Sequence, residues 1–375
     1  MVGGGQGAFI GEVHRMAARL DGHIELVCGA FSSNPAKSKK SGEALYIDPA
    51  RTYPDYKTMM ETEKQLPEEE RMDFVTIVTP NHLHFDPAFL ALKSGFHVVC
   101  DKPVTFTLKE AIRLQKEIAK RDAIFALTHN YTGYPMVKEM KAFIAAGKLG
   151  KIRKVIAGYP QGWLSTRLEE SGQKQASWRT DPSKSGKAGC MGDIGTHAEN
   201  LLEYVTGLKI THLCADLNIF VENRQLDDDG AMLLQLEDGA KGVLYASQIA
   251  AGEENNLRIQ IYGEKGGLDW SQMQPNSVVY RPLDKPKQIW RTGVGKQAKT
   301  TQWATRLPAG HPEGFIEAFA NIYKNVALSI QANKIGKQPK SEWNDYPKIE
   351  DGIRGMQFID RVIVSSNSKS KWTKF

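Results

Sequence analysis

Three stretches carry residue types at spacings that suit chemistry. The first is Phe96–Val104, Phe-His-Val-Val-Cys-Asp-Lys-Pro-Val, an apolar run that ends in Asp101, Lys102 and Pro103. Pro103 has no N–H for a sheet, and it restricts Lys102 to extended or turn backbone. An ammonium group is thus posed just past a buried strand, the edge at which open α/β sheets bind ligands. A cation there can stabilise charge developing on an oxygen; taken alone, a loop lysine is more often merely solvated. The second is Gly189-Cys190-Met191-Gly192-Asp193-Ile194-Gly195-Thr196-His197. Asp193 and His197 are four apart, so a helix starting here projects both from one face. Imidazole is the group best suited to moving a proton near neutral pH. Asp193 as a helix N-cap and His197 as a satisfied core histidine are the competing readings. The third is Met1-Val2-Gly3-Gly4-Gly5-Gln6-Gly7-Ala8-Phe9-Ile10-Gly11. Gly3, Gly5 and Ala8 fit G-x-G-x-x-G/A, in which glycines allow a tight turn and close approach of a pyrophosphate. Gln6, Gly7, Phe9 and Ile10 complete that turn and the helix start, whose unpaired N–H groups favour an anion.

The elements that must position these residues fall into two styles. After the glycines, Val13, Met16, Ala17 and Leu20 keep helical spacing, and Ile24–Ala30 reads as the next strand. Only Met1 and Val2 remain for the first strand, so it is very short, or the native start is longer. Phe31-Ser32-Ser33-Asn34 follows, with Lys37, Lys39 and Lys40 behind. An NAD enzyme usually has an acid there for the ribose hydroxyls. Ser32, Ser33 and Lys37 suit a 2′-phosphate better and favour NADP, although a serine also binds a ribose hydroxyl and the lysines equally form a solvated helix face. Phe74–Val78 is a buried strand that ends in Thr79-Pro80-Asn81-His82-Leu83-His84, which places these side chains at the sheet's carboxyl edge. Thr107 caps a helix to about Lys120, and Ala123–Leu127 leads into Thr128-His129-Asn130-Tyr131. This alternation predicts a doubly wound parallel sheet over residues 1–130.

Beyond it the pattern changes. A helix (Pro135–Ala146) and a strand (about 151–159) precede a polar, Trp-bearing segment over 161–189. A helix starts near Gly195. Strands at about 210–221, 231–237, 240–249, 256–263 and 277–281 then follow one another, which predicts a large, mostly antiparallel sheet. Residues 284–310 read as loop, with helices at about 312–332 and 347–366 and a polar tail from Ser365. The second domain is expected over 131–375, an α+β domain for substrate binding and oligomerisation, with its C-terminal helices packing back towards the first.

Bulk properties narrow the class. The chain has 375 residues and a net charge of +6 spread along its length, too mild for a nucleic-acid partner and compatible with an anionic small ligand. Cys28, Cys100, Cys190 and Cys214 are far apart without Cys-x-x-Cys spacing, so neither a metal site nor a disulfide framework is expected. No apolar run approaches the roughly 18 residues of a membrane span, and Gly3 argues against a secretory leader. A cytoplasmic protein is expected.

Taken in order, the N-terminal glycine run, Asp101-Lys102-Pro103 and Gly192-Asp193-Ile194-Gly195-Thr196-His197 resemble the Gfo/Idh/MocA oxidoreductase family, over essentially the whole chain. Trp178-Arg179-Thr180-Asp181-Pro182 matches the family's approach to the last element. Asp101 stands where the family usually has Glu. The resemblance implies a Rossmann domain followed by an open-sheet domain through which members associate, as homodimer or homotetramer. It implies NAD(P)-dependent oxidation of a secondary alcohol on a sugar, inositol or related polyol, or the reverse. Lys102 is then expected to hold the reacting oxygen, His197 to be general base and acid, and Asp193 to orient substrate or His197. Gly3, Gly5, Gly7 and Ala8 are expected to cradle the pyrophosphate, with Thr79, Pro80, Asn81, His84, Asp101 and Asn130 along the nicotinamide and ribose path. Substrate-facing candidates are Tyr131, Trp163, Trp178, Arg179 and His311, each equally open to a structural role. Aromatic faces suit a sugar ring, and Arg179 suits a carboxylate or phosphate. Two alternatives stay open: a glycoside-cleaving hydrolase of the same fold that recycles its nicotinamide, and a non-catalytic nucleotide or sugar sensor. Keeping both Lys102 and His197 counts against the sensor.

Overall fold

The computed structural model describes Met1–Phe375 and divides into two units, Met1–Asn130 with Phe319–Ile353, and Tyr131–Ala318 with Arg354–Phe375. Residues 319–353, assigned from sequence to the second domain, therefore group with the first.

The first unit is built on a parallel sheet in the order β1 (Val2–Gly3), β2 (Phe74–Val78), β3 (His97–Cys100), β4 (Phe125–Leu127). The last four residues of β2 and the Val98–Cys100 run are buried, as expected for strands covered on both faces. The expected strand over Ile24–Ala30 does not form a ladder. Its end runs beside the N-terminus, where Ala30 N–H donates to Met1 O and Gly3 N–H to Ala30 O, both at 2.9 Å. A two-residue partner offers too few groups for more, so only an isolated bridge between Ala30 and Val2 results, and Gly29 bridges Thr52 on its other side. Helix α1 (Phe9–Arg19) buries Gly11, Val13, His14 and Ala17. Met16 and Leu20, expected on its apolar face, are instead exposed, because His14 occupies the buried stripe. Helix α2 (Pro35–Ala44) starts on Asn34, whose side chain accepts from Lys37 N–H. Thr107 and Glu110 form a reciprocal capping box on the helix Leu108–Ile118.

The second unit is built on nine strands: β5 (Ile152–Pro160), β6 (Ile210–Asn218), β7 (Asp229–Leu236), β8 (Lys241–Ser247), β9 (Arg258–Gly263), β10 (Gly266–Ser271), β11 (Ser277–Pro282), β12 (Gln288–Arg291) and β13 (Trp372–Lys374). They lie in the order β12-β11-β10-β9-β5-β8-β7-β6-β13, all antiparallel except β5 with β8. One face packs on the helices through residues such as Met232, Leu234, Leu244, Ile259 and Ile261, all buried. The other exposes Leu233, Tyr245, Tyr262 and Ile289. Three strands escape sequence reading. In β10, Asp269 breaks the apolar pattern, yet it is buried because Arg258, Gln260 and Arg281 all donate to it. The segment read as loop over 284–310 contains β12 and the helix Lys299–Ala304. The polar tail supplies β13, because the helix Ile349–Asn367 turns its serines onto β6: Ser365 and Ser366 hydroxyls accept from Ala215 and Leu217 N–H.

Candidate active site

In the first unit, the glycine turn follows β1 and the Asp101-Lys102-Pro103 turn follows β3, at the same edge of the parallel sheet. Gly3, Gly4 and Gly7 have φ of +79°, +72° and +76°, a region that suits glycine. A Cβ on Gly5 would stand 2.7 Å from Phe31 O and from Ser41 Oγ. A Cβ on Gly11 would stand 2.3 Å from Gly4 Cα. Gly11, which lies outside the Gly3, Gly5, Ala8 spacing, therefore brings helix and turn together. Ala8 is the N-cap residue of α1, with no side-chain hydrogen bond. Arg15 Nη1 donates to Gly4 O at 2.6 Å and Ser41 Oγ accepts from Gln6 N–H at 3.1 Å, two supports the motif does not name. A cleft of about 480 Å³ opens here, lined by Gly4–Phe9, Glu12, Arg15, Ser41, Ala44 and Leu45.

Lys102 joins Pro103 through a cis peptide. Asp101 Oδ1 accepts from Lys102 N–H at 2.9 Å and from Thr128 Oγ1 at 2.8 Å, so the carboxylate holds the turn to the end of β4. Asp101 Oδ2 lies 3.9 Å from Nε2 of His14, whose Nδ1 is 2.6 Å from Tyr323 Oη. The Tyr323 hydroxyl also donates to Thr76 Oγ1 at 3.3 Å. Burial lowers the His14 pKa to about 4, keeping it neutral. Burial pushes the Asp101 carboxyl up, but His14, Lys102, His84 and Thr128 outweigh it and leave its pKa below the usual value. His14, which no motif points to, thus links the helix of the glycine turn to the Lys102 turn. Its signal in the sequence is a histidine on the buried stripe of an amphipathic helix.

His84, expected on the cofactor path, is buried with Nδ1 2.7 Å from Pro103 O and Nε2 2.8 Å from Thr79 O. Both ring nitrogens are engaged with backbone, so its observed role is to pin two turns together. His129 is buried beside Lys102; burial first, and the Lys102 charge second, lower its pKa to about 3. Asn81 is buried, whereas Thr79 and Pro80 are half-buried. Asn130 is buried and its Nδ2 finds no partner. The glycine cradle and the open space around Gly7 fit the pyrophosphate of a dinucleotide. Ser33 and Lys37 are exposed, and Ser32 Oγ accepts from Asn34 N–H at 3.2 Å.

In the second unit, Met191–Gly195 forms a π-helical turn that runs into the helix Thr196–Thr206. Such turns often mark functional positions. Asp193 Oδ2 accepts from Arg179 Nε at 3.0 Å and from Gln248 Nε2 at 2.9 Å. Of the two roles open to Arg179, an anionic substrate group or a structural one, its guanidinium grips a carboxylate of the chain and also donates to Gln175 Oε1. It lies 4.2 Å from the Trp178 ring and 5.9 Å from that of Trp163. Trp163 Nε1 in turn donates to Gln161 Oε1 at 3.0 Å. His197 is buried, with the Tyr131 ring edge-on at 4.8 Å and that of Tyr159 at 6.2 Å. The Tyr131 hydroxyl bonds that of Tyr159, which donates to Asn255 Oδ1 at 2.8 Å. Tyr131 therefore presents a ring to His197 and has its hydroxyl committed elsewhere. Burial raises its pKa to about 12, so it is a neutral phenol. His311 stands apart, exposed, with its ring turned to Pro308 O at 3.2 Å, and it steadies its own turn.

A glycine-turn parallel sheet with a posed lysine, followed by an open-sheet unit with an Asp–His pair, defines a two-part oxidoreductase. Comparison with known proteins agrees. Residues 1–140 match the oxidoreductase family with an NAD-binding Rossmann fold, and residues 137–269 match the GFO/IDH/MocA C-terminal domain. The uncharacterized oxidoreductase YfiI of Bacillus subtilis is 33% identical over 100% of this chain and 96% of its own length. The crystal structure of an inositol dehydrogenase homolog from Azotobacter vinelandii complexed with NAD+ superposes with TM-score 0.94 at 34% identity, covering 100% of this chain and 96% of that one. An inositol dehydrogenase homolog from the same organism complexed with NADH and myo-inositol gives 0.92 at 33%, with the same coverage. An oxidoreductase from Sinorhizobium meliloti gives 0.90 at 44%, over 100% and 98%. The chain belongs to the Gfo/Idh/MocA oxidoreductase family. No helix is long and apolar enough to cross a membrane.

Proposed function

We propose that this protein is an NAD(P)-dependent dehydrogenase that interconverts a secondary alcohol and its ketone on a sugar, inositol or related polyol, with NADP favoured over NAD. The observation that carries the reading is Lys102, held by Asp101 at the same sheet edge as a glycine cradle that fits a dinucleotide. The nicotinamide, when bound, supplies the hydride acceptor or donor. The chain's own residues hold the substrate and handle the proton. Lys102 Nζ donates to the reacting oxygen and stabilises its developing negative charge. His197 takes the hydroxyl proton in oxidation and returns it in reduction, and Asp193 orients the groups around it. Trp163 and Trp178 offer apolar faces to a sugar ring. Ser32, Ser33 and Lys37 receive the 2′-phosphate of NADP. The exposed face of the nine-stranded sheet, with Leu233, Tyr245, Tyr262 and Ile289, joins copies into a homodimer or homotetramer.

The test is a rate screen of inositols, sugars and keto-sugars with both cofactors, with myo-inositol as first probe because a relative was crystallised with it. Lys102→Met is expected to lower kcat by about a thousandfold or more while the NADPH dissociation constant stays within about twofold. Turnover that survives this change overturns the role of Lys102. NADH bound as tightly as NADPH overturns the cofactor preference.

A further inference from the structure

Asp227 belongs to no motif, yet its buried carboxylate reaches the backbone that leads into the Asp193–His197 element. Its Oδ1 accepts from Gly189 N–H and its Oδ2 from Met191 N–H, both at 2.7 Å. Its own carbonyl accepts from Cys190 N–H at 2.8 Å. Three consecutive N–H groups at the start of the π-helical turn thus end on one residue. There is no slack in the contact, since a Cβ on Gly189 would stand 2.4 Å from Asp227 O. The next residue reaches the same target from the other side. Asp228 O accepts from Gln248 N–H at 2.9 Å, and the Gln248 side chain donates to Asp193 Oδ2 at 2.9 Å. Asp228 is itself fixed, with its carboxylate accepting from Phe220 and Val221 N–H at 2.9 Å each. One dipeptide therefore sets the backbone that carries Asp193 and the partner that orients its carboxylate.

We infer that Asp227 is a positioning residue for the Asp193–His197 pair: its carboxylate clamps Gly189 and Met191 so that the turn delivers both side chains in register. This rests on the reading of Asp193 and His197 as substrate-handling groups. A carboxylate is suited to the task because it offers only acceptors to two converging N–H donors. An isosteric amide keeps one acceptor and turns an N–H₂ against the second donor. Burial raises the Asp227 carboxyl to about 6, and the Met191 and Gly189 N–H donors act against that rise.

The experiment compares Asp227→Asn and Asp227→Glu with the natural protein, in the full chain, by two readouts. Hydrogen exchange of the peptide spanning residues 187–197 reports the clamp without any substrate. Faster exchange in Asp227→Asn, by about tenfold or more, is expected; unchanged exchange overturns the clamp. Steady-state rates with the fastest polyol of the screen report its consequence. A kcat lower by about ten- to a hundredfold is expected, with KM and the NADPH dissociation constant within about threefold. A rise in KM alone, or an unaltered kcat, overturns the positioning role. Asp227→Glu, which keeps both acceptors, is expected to recover part of the exchange protection and part of the rate; recovery of neither counts against the carboxylate as the cause. Should Asp227→Asn fail to fold, Asp227→Glu carries the comparison, and natural kcat with loosened exchange in it overturns the proposal. Absence of turnover in the natural protein with every polyol overturns the functional reading instead, and the exchange result stands by itself.

Discussion

Replacing Gly11 by alanine tests the glycine cradle at a residue the motif spacing does not include. The new Cβ would sit 2.3 Å from Gly4 Cα and 2.7 Å from Gly4 O. Carbon contacts settle at about 3.5 Å or more, so helix and turn must separate by about 1.2 Å. Neither side yields easily. Gly4 has φ +72°, its own Cβ direction is closed by Val78 Cγ2 at 2.9 Å, and Arg15 holds its carbonyl. Overpacking of this kind costs about 1–3 kcal/mol. A displaced turn also loses its fit to a pyrophosphate, and each ~1.4 kcal/mol is tenfold in affinity. Urea unfolding and fluorescence titration with NADPH and NADH are the assays. Gly11→Ala is expected to lose about 1–3 kcal/mol of stability and to bind both cofactors about tenfold more weakly or worse. Ala8→Ser is the control of opposite sign. Ala8 has extended backbone at the N-cap position with no side-chain bond, and a hydroxyl there adds a cap that stabilises by about 0.5–2 kcal/mol. Natural stability and affinity in Gly11→Ala, or equal damage from Ala8→Ser, would refute the assignment to Gly11.

Two further outcomes follow from His14 and Arg179. His14 has its pKa lowered from 6.5 to about 4 by burial, so between those values the unfolded chain binds more protons than the folded one. Stability is therefore expected to fall as pH drops from about 6.5 towards 4, by up to about 3 kcal/mol from this residue, and His14→Gln is expected to flatten that slope in urea titrations at pH 7 and 4.5. Arg179 holds Asp193, so Arg179→Gln is expected to reduce kcat about tenfold even on neutral polyols. An effect confined to KM for phosphorylated or carboxylated substrates would mean that Arg179 reads the substrate instead.

Much of this architecture is legible in the residues because local and global signals agree. Phe74–Val78 and His97–Cys100 are apolar runs that can only be buried strands, and Thr107 with Glu110 spells its own cap. The failures have physical causes. Ile24–Ala30 has strand composition, but its neighbour is two residues long, and pairing is a property of both partners. Trp372–Lys374 carries no strand signal of its own and forms by backbone pairing with the distant β6, and Asp269 is buried because Arg258, Gln260 and Arg281 on the strands beside it donate to it. The site reads the same way. Lys102, Asp193 and His197 stand in recognisable strings, whereas His14, Gln248 and Asp227 act through contacts 38 to 87 positions away in sequence: His14 on Asp101, Gln248 on Asp193 and Asp227 on Gly189. No window of sequence contains both members of such a pair.

The return of residues 319–353 to the first unit has a consequence for how the protein is made. The cofactor-binding unit is finished late. Tyr323 supplies the phenol that fixes His14, Lys334 pairs with Asp73, and Pro347 O accepts from Leu127 N–H at 2.9 Å at the edge of the parallel sheet. Gly352 lies where a Cβ would meet Leu127 and Val104 side chains under 3.0 Å. Synthesis runs from the N-terminus at about 5–20 residues per second, so the first 130 residues wait on the order of ten seconds or more for these partners. During that interval β4 has an open edge and His14 lacks its phenol. Chain order and folding order are uncoupled in this unit, and the burden of that delay falls on whatever shields an unfinished parallel sheet in the cell.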